Sequence, residues 1–589
     1  MKIILAIPLL IASAITYFSL KDQVIEKKQD SDITKTEAFI YTLPSDKLIT
    51  KKLSSMTLRE KIAQMVIGSA IPDNFSETSA DFKKLKRLCK QTKIGGFIFF
   101  KGSSADYSRL SNYLQSFSET PLLISADFER GTKMRVTDGV IFPNNMAIGA
   151  ANNPELCYKM GLEIARETRL LGIHQNYAPV CDVNNNPNNP IINVRSFGED
   201  PKLVSKMSES MIKGLQEGKV IATVKHFPGH GDTEIDSHND LPVLNFSMDR
   251  LSEIELVPFK NAIDKGVMSV MIAHLSFPEL EQQPNIPASL SPSIVEGLLI
   301  NKMGFSGLVV TDALNMKGIT KYFSNSEVAV MCVQAGIDLI LMNLNEEGTV
   351  DAIEAAVMSG KISEDRINRS AEKILKTKQW LGLFDNRSVQ ETDIYNSVNT
   401  ASANELAQQI ADESITLVKD DNSILPLKNE SGKKTAVIAI SEGGEQDNTA
   451  YMVNILSGYF SNYEYVSTGP NSIEPLLEEK MKLISDYDLI IVAVYAKVRF
   501  GTGKISISPV NVDLINSLRK LNKNLVVLSL GNPYLLKEFP DAPCYICAYG
   551  DSDVSINASL RAITGKTKFK GKLPVTITET FTFGTGINK

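Results

Sequence analysis

The chain has 589 residues, 43% of them hydrophobic and 22% charged, which is too long for one ordinary domain and balanced for two or three soluble globular ones rather than a disordered chain. A net charge of −6 and a pI near 5.7 supply no basic stripe for nucleic acid, so no nucleic-acid partner is expected. Six cysteines in so long a chain make no disulfide framework, and their apolar neighbours mark them as buried thiols.

Lys2 precedes an uncharged apolar run from Ile3 to Leu20, with Ala12-Ser13-Ala14 as an A-x-A cleavage site. The run is also about long enough to span a bilayer if uncut. Residues 1–20 are therefore expected to be a signal peptide or membrane anchor. No cysteine lies nearby for lipid attachment, so any membrane attachment runs through this segment alone. Export to the periplasm or cell envelope follows. Residues 21–53 are charged and polar and read as a tether.

From 54 to 383 short apolar runs alternate with amphipathic segments. The expected strands are Ile62–Ile67, Gly95–Phe100, Pro121–Ala126, Gly172–Val180, Val220–Val224, Val267–Ala273, Gly307–Thr311 and Ile337–Met342. Eight such runs joined by helical patterns give an α/β fold, and eight closes a (β/α)8 TIM-type barrel; a doubly wound open sheet is the alternative. Ionisable or polar residues follow six of the runs: Asp127, Asp182, Lys225 with His226, His274, Asp312 and Asn343. In a closed barrel these lie at the C-terminal mouth, where this fold builds its sites. Residues 384–404 read as a linker. A second set of strands at Thr435–Ile440, Leu489–Val494, Leu525–Leu530 and Tyr545–Ala548 predicts a smaller α/β sandwich over 405–589. Cys544 and Cys547 stand three apart in the last strand, so their side chains point to opposite faces.

The stretch Lys225-His226-Phe227-Pro228-Gly229-His230-Gly231-Asp232-Thr233, continuing to Asp236-Ser237-His238, holds three of the five histidines in the chain. Its prolines and glycines force a loop past strand five. Asp236 and His238 project to the same side if the segment is extended, and a carboxylate beside an imidazole fixes its tautomer and raises its proton affinity. Composition leaves three readings open: a metal site, a structural loop, or a general acid. The spacing fits no zinc signature. Asp312, directly after the apolar strand Leu308-Val309-Val310-Thr311, sits where a nucleophile has a fixed line of attack; a helix N-cap is the other reading.

Lys225 to His238 resembles the K-H-F-P-G-H-G-D-x-x-x-D-S-H signature of glycoside hydrolase family 3, in particular its bacterial β-N-acetylglucosaminidase branch. Val310-Thr311-Asp312-Ala313-Leu314 resembles the nucleophile strand of that family, Asn193 to Gly198 its R-S-F-G motif, and Asp127 to Arg135 its D-x-E-x-G segment. Ser414 to Lys419 with Leu425-Pro426-Leu427, and Gly571 to Val575 with Phe583 to Gly586, resemble the ends of its accessory domain. The resemblance implies a retaining two-step hydrolysis of terminal β-linked N-acetylglucosamine from peptidoglycan fragments. Asp312 is then the nucleophile and His238, tuned by Asp236, the acid/base, while Asp127, Arg135, Arg195, Lys225 and His226 grip the sugar. Neither a cofactor nor a resident metal is expected. Where the family commonly has paired glycines, this chain carries Glu129-Arg130-Gly131-Thr132-Lys133, adding bulk and charge at Arg130 and Lys133. Rival functions are a phosphorylase or β-glucosidase of the same family, a metal-dependent barrel hydrolase, and a non-catalytic cell-wall-binding module. With its acid/base on the barrel, the chain needs its second domain mainly as structure.

Overall fold

The computed structural model describes residues 38–589 except 74, 235–239, 428–432, 444–446, 470–485, 497–505 and 523. The candidate leader lies outside the described residues, as do Asp236 and His238. Among the described residues no helix is long and apolar enough to cross a membrane.

Eight parallel strands form the first sheet: β1 Val66–Ala70, β2 Gly96–Phe99, β3 Leu123–Ala126, β4 Gln175–Asn176, β5 Ile221–Phe227, β6 Ser269–Ile272, β7 Leu308–Thr311 and β8 Ile340–Leu341. They pair in sequence order, β1 also pairs with β8, and a bridge between Val310 and Leu339 joins β7 to β8. The sheet thus closes into a TIM-type barrel, and the open-sheet alternative falls. Helices between the strands start where the sequence supplies caps. Asn153 and Asp200 each accept a backbone N–H in the first turn, with proline at the first helical position of Pro154–Leu170 and Pro201–Glu217.

Two strand expectations shift. The run Ile62–Ile67 splits, because Thr57 and Glu60 form a reciprocal cap that starts a helix over Leu58–Gln64, leaving β1 to begin at Val66. The expected strand Gly172–Val180 forms a ladder at Gln175–Asn176 and then a single bridge from Val180 to Lys225, with Pro179, which has no N–H to donate, between them. The segment expected to be a tether as far as residue 53 is folded from Ala38 onward. Tyr41 bonds Thr377 (2.9 Å), Ser45 bonds Glu372 (2.6 Å) and Lys376 donates to the Leu43 carbonyl (2.6 Å), all on the helix Glu364–Trp380.

Among its described residues the second domain holds six strands: β9 Thr416–Asp420, β10 Thr435–Ser441, β11 Tyr463–Thr468, β12 Leu489–Tyr495, β13 Leu525–Ser529 and β14 Cys544–Cys547. Their order is β11-β10-β12-β13-β14-β9, parallel throughout except for β9 against β14. Cys544 and Cys547 enter separate apolar clusters on the two faces of this sheet, as their spacing requires. One of those clusters also contains Met146, Ala147, Ala150 and Val194 of the barrel half, so the two domains share a core. Gly198 fits this seam because a Cβ there would stand 2.4 Å from the Pro574 carbonyl oxygen.

Candidate active site

A cavity of about 450 Å³ opens at the C-terminal ends of the barrel strands. Asp127, Arg135, Arg195, Lys225, His226 and Asp312, all singled out in the sequence, line it together.

Asp312 follows β7 directly. Its backbone N–H donates to Ile272 O (2.9 Å) on the neighbouring strand, and its own Oδ1 accepts the Ala313 N–H (2.7 Å), so the carboxylate is held on a rigid element. Burial raises its pKa, but the charges of His226 and His274, the Ala313 N–H and Lys225 outweigh that and hold the group at about 2. It is an anion at neutral pH. His274, after β6, bonds Ser289 through Nδ1 (2.8 Å) and the Ala313 carbonyl through Nε2 (3.1 Å); it stands behind the Asp312 turn, outside the cavity wall. Asn343 is likewise buried, donating to the Asn325 carbonyl.

Facing Asp312 is a network of charges. Lys225 Nζ reaches Asp127 Oδ1 (2.9 Å) and Glu129 Oε1 (2.8 Å), Arg195 grips Glu129 through two nitrogens (2.6 and 3.0 Å), and Arg135 stands 3.5 Å from Asp127. Burial raises the Glu129 carboxyl, yet Arg195 and Lys225 carry it well below the usual range. Burial pushes the Lys225 amine down, and Asp127 and Glu129 more than restore it. Glu129 was not among the expected sugar-binding residues. Its position two residues after Asp127, on the same face of an extended segment, was the available signal.

β5 runs to Phe227, so Lys225 and His226 belong to the strand rather than to the loop after it, and the Lys225–His226 peptide is cis. His226 Nδ1 donates to Asp182 Oδ2 (2.7 Å), and the fully buried Asp182 also accepts the backbone N–H of His226 and His230. One carboxylate therefore sets the tautomer of His226 and anchors the start of the histidine loop. Burial raises Asp182, and the two histidines bring it below its ordinary value. The buried His230 ring is pushed down to about 4 by burial first and by His226 second. Asn189 holds the loop further on through the carbonyls of His230 and Gly231 (2.8 and 2.9 Å). Among the described residues no three His, Cys, Asp or Glu side chains are grouped to hold a metal ion.

The second domain reaches the cavity. Gly531 and Asp551, in the segments following β13 and β14, line its wall, so this domain is more than structural support. Asn144 ties it to the barrel by donating to the Tyr549 carbonyl (2.6 Å), and Gly550 permits the approach, since a Cβ there would lie 2.7 Å from Asn144 Nδ2. Of the two unusual cations in the segment after Asp127, Arg130 lines the cavity, whereas Lys133 is exposed and does not.

A closed barrel with an ionised carboxylate at a strand end, walled by paired acids and bases able to exchange hydrogen bonds with hydroxyl groups, defines a barrel hydrolase pocket for a polar substrate. Comparison with known proteins is specific. The glycosyl hydrolase family 3 N-terminal domain matches residues 57–377 and its C-terminal domain residues 415–583. The chain belongs to glycosyl hydrolase family 3 and is a glycoside hydrolase. It is 26% identical over 514 residues to a β-N-acetylglucosaminidase/β-glucosidase of Cellulomonas fimi, covering 84% of this chain and 91% of that one. A β-hexosaminidase A of Pseudoalteromonas piscicida is 33% identical over 379 residues, 59% of this chain and 62% of its own. Among solved structures, a family 3 β-N-acetylglucosaminidase from a Paenibacillus strain superposes with a TM-score of 0.79 at 32% identity, covering 89% of this chain and 99% of that one. A β-glucoside phosphorylase superposes at 0.82 with 25% identity, covering 91% and 98%.

Proposed function

We propose that this enzyme is a retaining exo-β-N-acetylglucosaminidase acting on terminal β-linked N-acetylglucosamine of peptidoglycan fragments. The observation that carries the reading is the ionised Asp312 at the cavity floor, set among Asp127, Arg135, Arg195, Lys225 and His226. Asp312 attacks the anomeric carbon and forms a glycosyl ester. His238, tuned by Asp236, protonates the leaving oxygen and then activates water. The charged wall strengthens its hydrogen bonds to the sugar as positive charge develops on the ring. The cavity falls within the range of small-molecule sites, about 300–1,000 Å³.

Asp236 and His238 lie outside the described residues, but the residues flanking them support the assignment. On one side Thr233 bonds the His230 ring beside β5 (2.9 Å). On the other, Asp240 accepts from Lys321 and Tyr322 (2.8 Å each), just beyond the segment after β7. Thr233 is thus tied to His230, which lines the cavity with Asp312, and Asp240 to the segment that follows Asp312. The relatives named for N-acetylglucosaminidase or hexosaminidase activity support the choice of sugar. The apolar run Ile3–Leu20 supports export to the periplasm or cell envelope, where such fragments arise.

The test is turnover of a chromogenic β-N-acetylglucosaminide against the matching β-glucoside by wild type, Asp312→Asn and His238→Ala. The expected result is preference for the acetamido sugar and loss of about 10⁴-fold or more in kcat for Asp312→Asn with the fold intact. Full activity of Asp312→Asn, or no turnover by wild type, sinks the reading. The likeness to a β-glucoside phosphorylase favours one second reading, transfer to phosphate, which accumulation of sugar 1-phosphate would establish.

A further inference from the structure

Four cations line the cavity: Arg130, Arg135, Arg195 and Lys225. Arg135, Arg195 and Lys225 each have a carboxylate of Asp127 or Glu129 within 4.0 Å in the network described above. Arg130 is different. Among the described residues no carboxylate lies within 4.0 Å of its guanidinium, whose one hydrogen bond to protein is a long donation from Nη1 to the Phe142 carbonyl (3.3 Å). The side chain is half-buried in the cavity wall to which Asn144 of the barrel and Asp551 of the second domain also contribute. Asp551 faces it only through space and accepts the backbone N–H of Asn448 (3.0 Å). Burial depresses the guanidinium, which marks a charge taken out of water without a contact partner.

The backbone under Arg130 is fixed. Its N–H donates to Met134 Sδ (3.4 Å), its carbonyl accepts the Phe142 N–H (2.8 Å), and Gly131 beside it has φ +116° with the Val140 carbonyl 2.4 Å from where a Cβ would stand. A guanidinium held on such a turn, half-desolvated and with most of its five N–H donors unused, is suited to a planar oxyanion.

We propose that Arg130 is a specificity-determining residue that recognises an oxyanion at the pocket wall between the two domains. That oxyanion is a carboxylate carried by the aglycone of the substrate, or inorganic phosphate serving as glycosyl acceptor. The inference rests on the glycosidase reading above and adds to it the charge of the preferred partner. In the second case a hydrogen phosphate oxygen forms the new bond to the anomeric carbon, the bond to the Asp312 carboxylate breaks, and that carboxylate is regenerated with no proton left over.

The experiment compares wild type, Arg130→Gln, Arg130→Lys and the exposed control Lys133→Gln on two aryl β-N-acetylglucosaminides that differ only in a ring carboxylate. Inorganic phosphate is titrated in parallel, with product analysis. For an aglycone carboxylate, wild type favours the charged glycoside, and Arg130→Gln lowers the charged-to-neutral ratio of kcat/KM about tenfold or more. Arg130→Lys falls between them, and Lys133→Gln leaves the ratio in place. For an acceptor phosphate, wild type forms sugar 1-phosphate with a saturable dependence that Arg130→Gln weakens by a similar factor. If Arg130→Gln stays within about twofold of wild type in both arms, the proposal is overturned. Wild type that turns over neither glycoside removes the glycosidase reading instead. The oxyanion site is then judged by melting: a rise in Tm in phosphate or benzoate over chloride at equal ionic strength, lost in Arg130→Gln, supports it, and no rise overturns it.

Discussion

Replacing Glu129 by glutamine removes a carboxylate that holds two of the cavity cations at once, both at short range. Glu129 is 6% exposed and accepts three charge-assisted bonds, two from Arg195 at 2.6 and 3.0 Å and one from Lys225 at 2.8 Å. Glutamine keeps the shape, but it turns an amide toward one cation and leaves the other without a full charge to face. Breaking a buried pair from one side costs about 3–5 kcal/mol, because the partner stays desolvated. With a denaturant slope of about 2–3 kcal/mol per molar, the urea midpoint of the barrel transition falls by about 1–2 M. Asp127→Asn is the comparison: Asp127 is more exposed and its second contact is long, so it should lose about 1–2 kcal/mol of stability. Its loss in kcat/KM should be the larger one, since its carboxylate faces the cavity. Urea denaturation followed by the far-ultraviolet signal, beside kcat/KM on a chromogenic glycoside, separates the two variants. A Glu129→Gln protein whose midpoint stays within about 0.3 M of wild type would refute the claim that Glu129 holds this wall together.

Asp182→Asn should cost about 10- to 100-fold in kcat/KM, the worth of one charge-assisted bond of about 1.5–3 kcal/mol, because His226 Nδ1 loses the acceptor that fixes its tautomer; unchanged kinetics would remove Asp182 from the site. His230 sets a pH dependence. Its buried ring is held at about 4, so between the usual histidine range and pH 4 the unfolded chain binds more protons and stability falls with falling pH. Up to about 3 kcal/mol is lost over that window. His230→Gln should flatten that limb in urea titrations at pH 7 and 4.5, and an unaltered slope would contradict the burial argument. Gly198→Val should lower the stability of the seam by about 1–3 kcal/mol and separate the unfolding of the two domains, read by calorimetry.

Part of the candidate site was legible because it sits at strand ends. Asp312 at the end of the buried strand Leu308–Thr311, and Lys225 and His226 closing an apolar run, are local signals that a closed barrel converts into neighbours. Glu129 and Arg130 were visible as residues but not as opposites: nothing local tells that one is gripped by two cations and that the other, among the described residues, has no carboxylate within 4.0 Å. Asp551 and Gly531 were out of reach, since their place in the cavity depends on how two domains meet some 400 residues apart in sequence. In the fold, β11 escaped because all but its last residue are half-buried or exposed, where the apolar-run criterion looks for a buried strand. The helix at Leu58–Gln64 escaped because its apolar end was read without its Thr57–Glu60 cap.

The seam explains why the second domain matters to a site whose residues lie chiefly on the barrel. Met146 and Val194 are buried in the core of the second domain, and the residues beside them in sequence, Asn145 and Arg195, line the cavity. Asn145 Nδ2 donates to the Arg195 carbonyl (2.7 Å), which joins the two segments. Glu199, just past the same motif, accepts from both the N–H and the hydroxyl of Thr576, and its own N–H donates to the Pro574 carbonyl (2.9 Å). The backbone that carries Arg195 to Glu129 is therefore clamped from the far side by the second domain. A guanidinium that must keep two bonds to one carboxylate tolerates little drift, so the contacts across the seam help to fix the charged wall from the side opposite the barrel strands.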